Sequence, residues 1–410
     1  MIKERENMDS TEQKSPASPS DSSIWSKAFI SLFIANMVMN MGLTMSNSIL
    51  AKYADSLGAP ASQIGMLMSA FAIAALAFKI IAAPAIDTYN KKYLAIFAAV
   101  VYATAFFGYS MSTTIPMLMV FRLIQGVGMA FGTAVYMTLI SEVLPKDKYS
   151  AGIGYFSLGQ VIATAIGPSV GLTLVNLMGY KLTYVCNAGI LLVSAAFLML
   201  VKYEFKRTKK LKITPGNIIA KEALIPASVM MFLNTGNCVI TSFLIVYAGK
   251  MDVTTGIGYF FTINALTMLV TRPTVGKLID KYGLVKIFIP SICCSVFAYF
   301  LISVSTTLPM FFLAACLSAL GFGACSPAMQ TLAMKCVPRS RRGAASSTNY
   351  VGQDIGYMIG PSIAGAAAQS LGYVSMWRVM SLPFVIAMVI VFVSRRQITK
   401  IEEDFCKREA

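Results

Sequence analysis

Arg272-Pro273-Thr274-Val275-Gly276-Lys277-Leu278-Ile279-Asp280-Lys281-Tyr282-Gly283 is a polar hinge set between two long apolar runs. A related stretch stands 193 residues earlier, where Asp87 follows Lys79 by eight residues as Asp280 follows Arg272. Working outward, Gln63-Ile64-Gly65 aligns with Gly256-Ile257-Gly258, and Gly159-Gln160 and Gly167-Pro168-Ser169 recur as Gly352-Gln353 and Gly360-Pro361-Ser362. A chain that repeats half of itself through apolar sequence reads as two similar membrane bundles. That plan suits a carrier whose binding site lies between the halves.

The 410 residues are 56% hydrophobic and 13% charged, against about 25% charged in a soluble protein. A spanning helix needs about 20 mainly apolar residues. Twelve such stretches are expected, at about 27–50, 62–86, 93–111, 114–140, 151–177, 180–202, 222–248, 256–279, 284–304, 307–334, 345–368 and 372–394. The runs are continuous, which selects helices over the short alternating segments of a barrel. The expected fold is an all-α integral membrane protein with twelve transmembrane helices in two pseudo-symmetric six-helix bundles. The bundles are expected at 27–202 and 222–395, joined by a basic cytoplasmic linker at 203–221. The flanking cytoplasmic tails are 1–26, polar and disordered in reading, and 396–410.

The net charge of +16 is topological and does not signal nucleic acid. Lys91, Lys92, Lys146, Lys148, Lys202, Lys206, Arg207, Lys209, Lys210, Lys212, Lys221, Lys277, Lys281, Lys286, Lys335, Arg339, Arg341 and Arg342 fall on one side, with Arg395, Arg396 and Lys400. The other side holds Lys52, Lys181 and Lys250. Lys/Arg excess marks the cytoplasm, so both termini are expected inside, in a multi-pass protein of the plasma (inner) membrane, with the basic loop offering contacts to anionic lipid headgroups. No cleavable leader is read; the first apolar run is too long for one.

The chain has no histidine. That disfavours His-dependent hydrolases and metal sites, and leaves carboxylates as the groups for proton coupling. The eight cysteines show no metal-ligand spacing and read as small buried hydrophobes. No GxxxxGK[ST] phosphate loop occurs, which argues against ATP-driven pumping. No enzyme, no cofactor and no metal are expected, and neither terminal segment is long enough to fold as a sensor domain.

Gly-x-Leu-x-Asp-x-x-Gly (Gly276, Leu278, Asp280, Gly283), between the second and third helices of the second half, resembles the loop signature of the major facilitator superfamily. Its counterpart in the first half is degenerate: Ala83, Ala85 and Asn90 replace Gly, Leu and Gly, while Asp87, Lys91 and Lys92 remain. Arg122-x-x-Gln125-Gly126-x-Gly128 is similar to that family's Arg-x-x-Gln-Gly signature. Gly154-x8-Ala163-x3-Gly167-Pro168-x2-Gly171 resembles the signature of proton-coupled exporters, with Ala163 and Leu172 where Gly is usual; Gly356-x3-Gly360-Pro361 is its second-half version. In overall style the chain looks most like the twelve-helix drug/proton antiporter branch. The resemblance implies alternating access, with the first, fourth, seventh and tenth helices lining the cavity.

Physical chemistry then assigns expected roles. Asp87 and Asp280, at helix ends, can accept backbone N–H bonds at the start of a neighbouring helix. With Lys79, Arg272, Gly276 and Gly283 they form a candidate gate, Lys79 and Arg272 snorkelling to the near surface. Gly154, Gly167, Pro168 and Gly171, with Gly356, Gly360 and Pro361, read as a flexible seam between the bundles; ordinary tight packing is the other reading. Asp354 lies near mid-membrane, where charges are costly and usually functional. It is the candidate proton-coupling group; a cation-binding site, or an ion pair with a partner such as Arg122, are the alternatives. Asn36, Asn40, Arg122, Gln125, Tyr136, Asn234, Asn237 and Gln330 are cavity candidates, with interhelical hydrogen bonding as the competing role. Arg378, beside Trp377, reads as an interfacial anchor.

The function expected from these residues is secondary transport without ATP: proton-coupled efflux (antiport) of a small organic solute by a monomer. The alternative is a proton symporter importing a polar or anionic nutrient.

Overall fold

The structure, a computed structural model, describes residues 25–144, 149–201, 220–338 and 341–409. The expected tail and linker therefore lie mostly outside the described residues. Twelve α-helices follow one another: α1 Lys27–Ser56, α2 Ala61–Thr88, α3 Lys91–Met111, α4 Ile115–Val143, α5 Tyr149–Leu200, α6 Leu224–Lys250, α7 Tyr259–Tyr282, α8 Leu284–Val304, α9 Leu308–Lys335, α10 Arg342–Val379, α11 Leu382–Val393 and α12 Arg395–Glu409.

These helices do not map one-to-one onto spans. At 52 residues, α5 is twice the length a bilayer needs. It reverses at Gly179, where φ is 76°, a conformation that only a residue lacking Cβ adopts without strain. Gly372, 193 residues on, has φ 81° and reverses α10 in the same way. So α5 contributes spans at 149–178 and 180–200, and α10 contributes the eleventh span and the start of the twelfth, which α11 completes. Nine apolar stretches among the described residues are long enough to cross a membrane, two of them double length at 46 and 50 residues. The remaining span is α7, made less apolar by Arg272, Lys277, Asp280 and Lys281. Twelve transmembrane helices result, as expected.

In the first bundle α1 packs on α5, α2 and α3 on α4, and α3 on α5; in the second α6 packs on α10 and α11, and α9 on α7 and α8. The bundles meet along α2·α10 and α5·α7, with α1 beside α6. One end of the molecule, the Gly58 end, carries the α1–α2, α3–α4, α6–α7 and α8–α9 turns. The opposite, Asn90 end carries the α2–α3 and α7–α8 turns. There the two halves differ locally: Gly283 turns the chain with φ 86°, whereas Asn90 caps α3 by accepting from Lys92 N at 3.0 Å, a role suited to Asn. This is the physical content of the degenerate first-half signature.

The segment 396–410, expected as a cytoplasmic tail, falls almost entirely in α12, a helix folded back on α8 and α9. Ile398 is fully buried, Glu402 accepts from Leu284 N at 3.4 Å, and Lys335 Nζ stands 5.4 Å from the Phe405 ring centre. Apolar residues at helical spacing in a charged run give α12 one sticky face. Trp377, the neighbour of Arg378, is fully buried. Its ring lies 5.8 Å from Tyr247 and 5.3 Å from Tyr299, while Arg378 stays exposed. Trp377→Ala is expected to cost about 3–5 kcal/mol, read as a large fall in the unfolding midpoint of the detergent-purified protein.

Candidate functional site

The bundle interface is built by a pseudo-two-fold relation between residues 193 apart. On the α2·α10 seam, a Cβ on Gly65 would meet Pro361 O and would lie 3.0 Å from Gly365 Cα; one turn deeper, Ser362 Oγ donates to Ser69 Oγ at 2.9 Å. On the α5·α7 seam, Gly258 stands where Gly65 stands, with Ser169 Cα 2.9 Å from its ideal Cβ. Thr262, the counterpart of Ser69, donates to Ala165 O at 2.5 Å. Small residues let the backbones touch. Near the Gly58 end the bundles are tied further by Ser62 N donating to Gln369 Oε1 at 3.3 Å and by Lys250–Asp55 at 3.7 Å. The bundles are thus joined from the Gly58 end to about mid-depth.

The deepest cross-bundle contact is an ion pair. Lys79 Nζ donates to Asp354 Oδ2 at 2.5 Å, linking α2 to α10. Their side chains are 31% and 15% exposed, so the pair is half-hydrated. Lys79 is nine residues from the end of α2, about 14 Å at roughly 1.5 Å per residue. Instead of snorkelling to the near surface, it turns across the seam.

Arg122 is not the partner of Asp354, contrary to the alternative raised from sequence. It is fully buried in the first bundle, where it donates to Asn47 Oδ1 at 2.8 Å and Gln125 Oε1 at 2.7 Å. Tyr109 OH donates to the same Gln125 oxygen at 2.6 Å. The guanidinium lies 4.4 Å from the Phe71 ring centre, a cation–π contact of the kind Arg favours. Phe71 in turn meets Tyr357 of α10 at 6.5 Å, edge-on. Tyr357 shares a face with Asp354 at a spacing of three, so the buried cation and the ion pair are neighbours through two aromatic rings.

Most other cavity candidates face their own bundle. Tyr136 is buried with its OH 3.1 Å from Ser194 Oγ. Asn234 is fully buried and donates to Met230 O at 2.9 Å. Asn40 donates to Asn36 O at 2.8 Å, and Asn36 is buried. In lipid an amide returns readily to its own helix backbone, which is why polarity alone misplaces these residues; Arg122, Gln125, Tyr136, Asn36 and Asn234 do not line open space in this conformation. Asn237 is half-buried. Gln330 is half-buried and donates to the OH of Tyr350 at 2.6 Å, one turn from Asp354.

The seam reading is also corrected. Gly167 and Gly171 face Thr44 and Met45 of α1, while Gly356 and Gly360 face Met231, Asn234 and Thr235 of α6. These glycines close each bundle on its own first helix. Only Pro361, whose carbonyl meets Gly65, lies on the interface; Pro168 sits within α5 without ending it. The glycines of the interface, Gly65 and Gly258, were visible in the aligned repeats but were given no role. Gly276 has open space around it. Gly154 and the side chains of Asp87 and Asp280 lie outside the described residues, so their expected roles are not addressed by this geometry.

The family model of the Major Facilitator Superfamily matches residues 32–258 and 227–404. An uncharacterized MFS-type transporter of Methanocaldococcus jannaschii is 26% identical over 358 residues, 85% of this chain and 92% of that protein. The multi-drug resistance efflux pump PmrA of Streptococcus pneumoniae is 23% identical over 392 residues, covering 90% and 96%. A bacterial homolog of the human lysosomal transporter Spinster, solved in an inward-facing and unoccupied conformation, superposes with a TM-score of 0.78 at 14% identity, covering 93% and 99%. The family match spans nearly the whole chain and agrees with the two-bundle fold: the chain belongs to the major facilitator superfamily.

Proposed function

We propose that this transporter is a proton-coupled exporter of a small organic solute. It works by alternating access as a monomer in the plasma membrane, with the Asn90 end and both termini in the cytoplasm. The Lys/Arg excess at the Asn90 end supports that orientation, and the likeness to an efflux pump supports export. The observation that carries the reading is the Lys79–Asp354 pair across the bundles.

A half-hydrated pair of this kind contributes about 1–2 kcal/mol, enough to change a conformer ratio roughly 5–30-fold. It holds the empty, deprotonated carrier closed at the Gly58 end. A proton on Asp354 removes the attraction; cargo that engages Lys79 removes it too. Either event frees the bundles to rock, whereas the empty carrier stays locked. The pair thus disfavours the outward crossing of an empty, deprotonated carrier, and exchange of cargo for protons results when the return crossing is made with Asp354 protonated.

The test is flux in proteoliposomes of known sidedness. An imposed pH gradient is expected to drive solute out of the compartment facing the Asn90 end, against the solute's own gradient. Flux that ignores the pH gradient, or runs with the protons, removes antiport.

A further inference from the structure

The pseudo-two-fold relation that joins the seams fails at one place. Lys79 corresponds to Arg272, and Asp354 corresponds to Val161. The α2·α10 seam therefore holds a cation and its carboxylate, while the α5·α7 seam holds a cation with an apolar residue at the carboxylate's position. No carboxylate among the described residues pairs with Arg272, and in the middle of the described helices Lys79, Arg122 and Arg272 stand against Asp354 alone.

By its helical position Arg272 lies away from the most exposed apolar side of α7. On α7, Thr262 faces α5 and Asn264 faces α9, donating to Ala315 O at 3.0 Å. Tyr259, Leu266 and Val270 form the apolar exposed side, 59%, 58% and 69% exposed. At roughly 100° per residue Arg272 lies about 160° around the helix from Val270, on the side facing the space between bundles. It is exposed there. Opposite, on α5, the exposed side away from the apolar Tyr155, Ile162 and Ile166 is polar: Gln160 and Thr164.

We propose that Arg272 is the cation that anchors the cargo before it reaches Lys79, and that the cargo is an organic anion whose carboxylate supplies the negative charge that the symmetry leaves out at Val161. An uncompensated charge at membrane depth is costly, and a guanidinium presents a planar fork that a carboxylate matches with two parallel hydrogen bonds. Gln160 and Thr164 offer further polar contacts to the same group. This deepens the transport reading and rests on it for the word cargo.

The experiment is a thermal-unfolding screen of the purified full-length protein in neutral detergent. The probes are matched sets of small aromatic and aliphatic carboxylic acids with their amine and alcohol analogues. At least one acid is expected to raise the unfolding midpoint where its amine and alcohol do not, with its affinity reduced at least tenfold in Arg272→Gln and partly retained in Arg272→Lys. Val161→Asp installs the missing internal carboxylate and is expected to remove acid binding while preserving or raising the midpoint of the empty protein. Stabilisation by amines, by no acid, or by acids equally in Arg272→Gln overturns the proposal. Binding in detergent needs no proton gradient, so loss of acid binding and failure of pH-driven flux are separate results.

Discussion

Asp354→Asn is expected to abolish pH-driven exchange, with gradient-driven flux falling by about two orders of magnitude, while the protein remains folded in the membrane. The substitution keeps size and hydrogen bonding but removes both the titratable proton and the charge that Lys79 Nζ meets at 2.5 Å. The variant resembles the protonated carrier at every pH. Its conformer ratio is therefore expected to become independent of pH, and counterflow of labelled for unlabelled solute, which needs no net proton movement, is expected to survive. A merely structural pair would instead lose counterflow and pH-driven flux together. Unchanged pH-driven flux would remove Asp354 from the mechanism.

The second large effect is expected at Gly65. Any Cβ there meets Pro361 O and stands 3.0 Å from Gly365 Cα, and a backbone cannot rotate away as a side chain does. Gly65→Val is expected to force α2 and α10 apart, with an overpacking cost of about 1–3 kcal/mol borne by the conformer closed at the Gly58 end. That shifts the conformer ratio roughly 5–150-fold toward opening there. Cysteine-reactive probes should gain access from the Gly58 side and transport should fall sharply. Gly258→Val should do the same on the mirror seam, because Gly258 meets Ser169 as Gly65 meets Pro361. Normal cycling with valine at either position would show that these seams do not close and open.

The fold was almost wholly legible in the sequence. Continuous apolar length dictates a helix in lipid, and the 193-residue interval fixes the correspondence of the halves down to Gly179 and Gly372, which reverse the chain at equivalent points. The site was legible only in part. Asp354 was marked as a costly charge at depth and Lys79 as a gate cation reaching the near surface, yet nothing local connects residues 275 apart. The glycine stripes announced close packing but not the neighbour, which proved to be α1 and α6 within each bundle. Amides such as Asn234 were ambiguous because a helix backbone is always within reach of its own side chains. The docked helix α12 had a signal that went unread: Ile398, Ile401 and Phe405 fall at spacings of three and four in an otherwise charged run. Gly65 and Gly258 show how the symmetry itself identifies an interface, since both copies keep glycine where the opposite bundle touches.

The most direct measurement is a pair of spin-label distances on a cysteine-free background, one across the Gly58 end between positions 56 and 251, the other across the Asn90 end between positions 89 and 282. On moving from alkaline to acidic pH, the Gly58-end distance is predicted to lengthen and the Asn90-end distance to shorten together, and Asp354→Asn should show the acidic distribution throughout. Distances that stay fixed, or that lengthen at both ends at once, would contradict a proton-released lock between two rocking bundles.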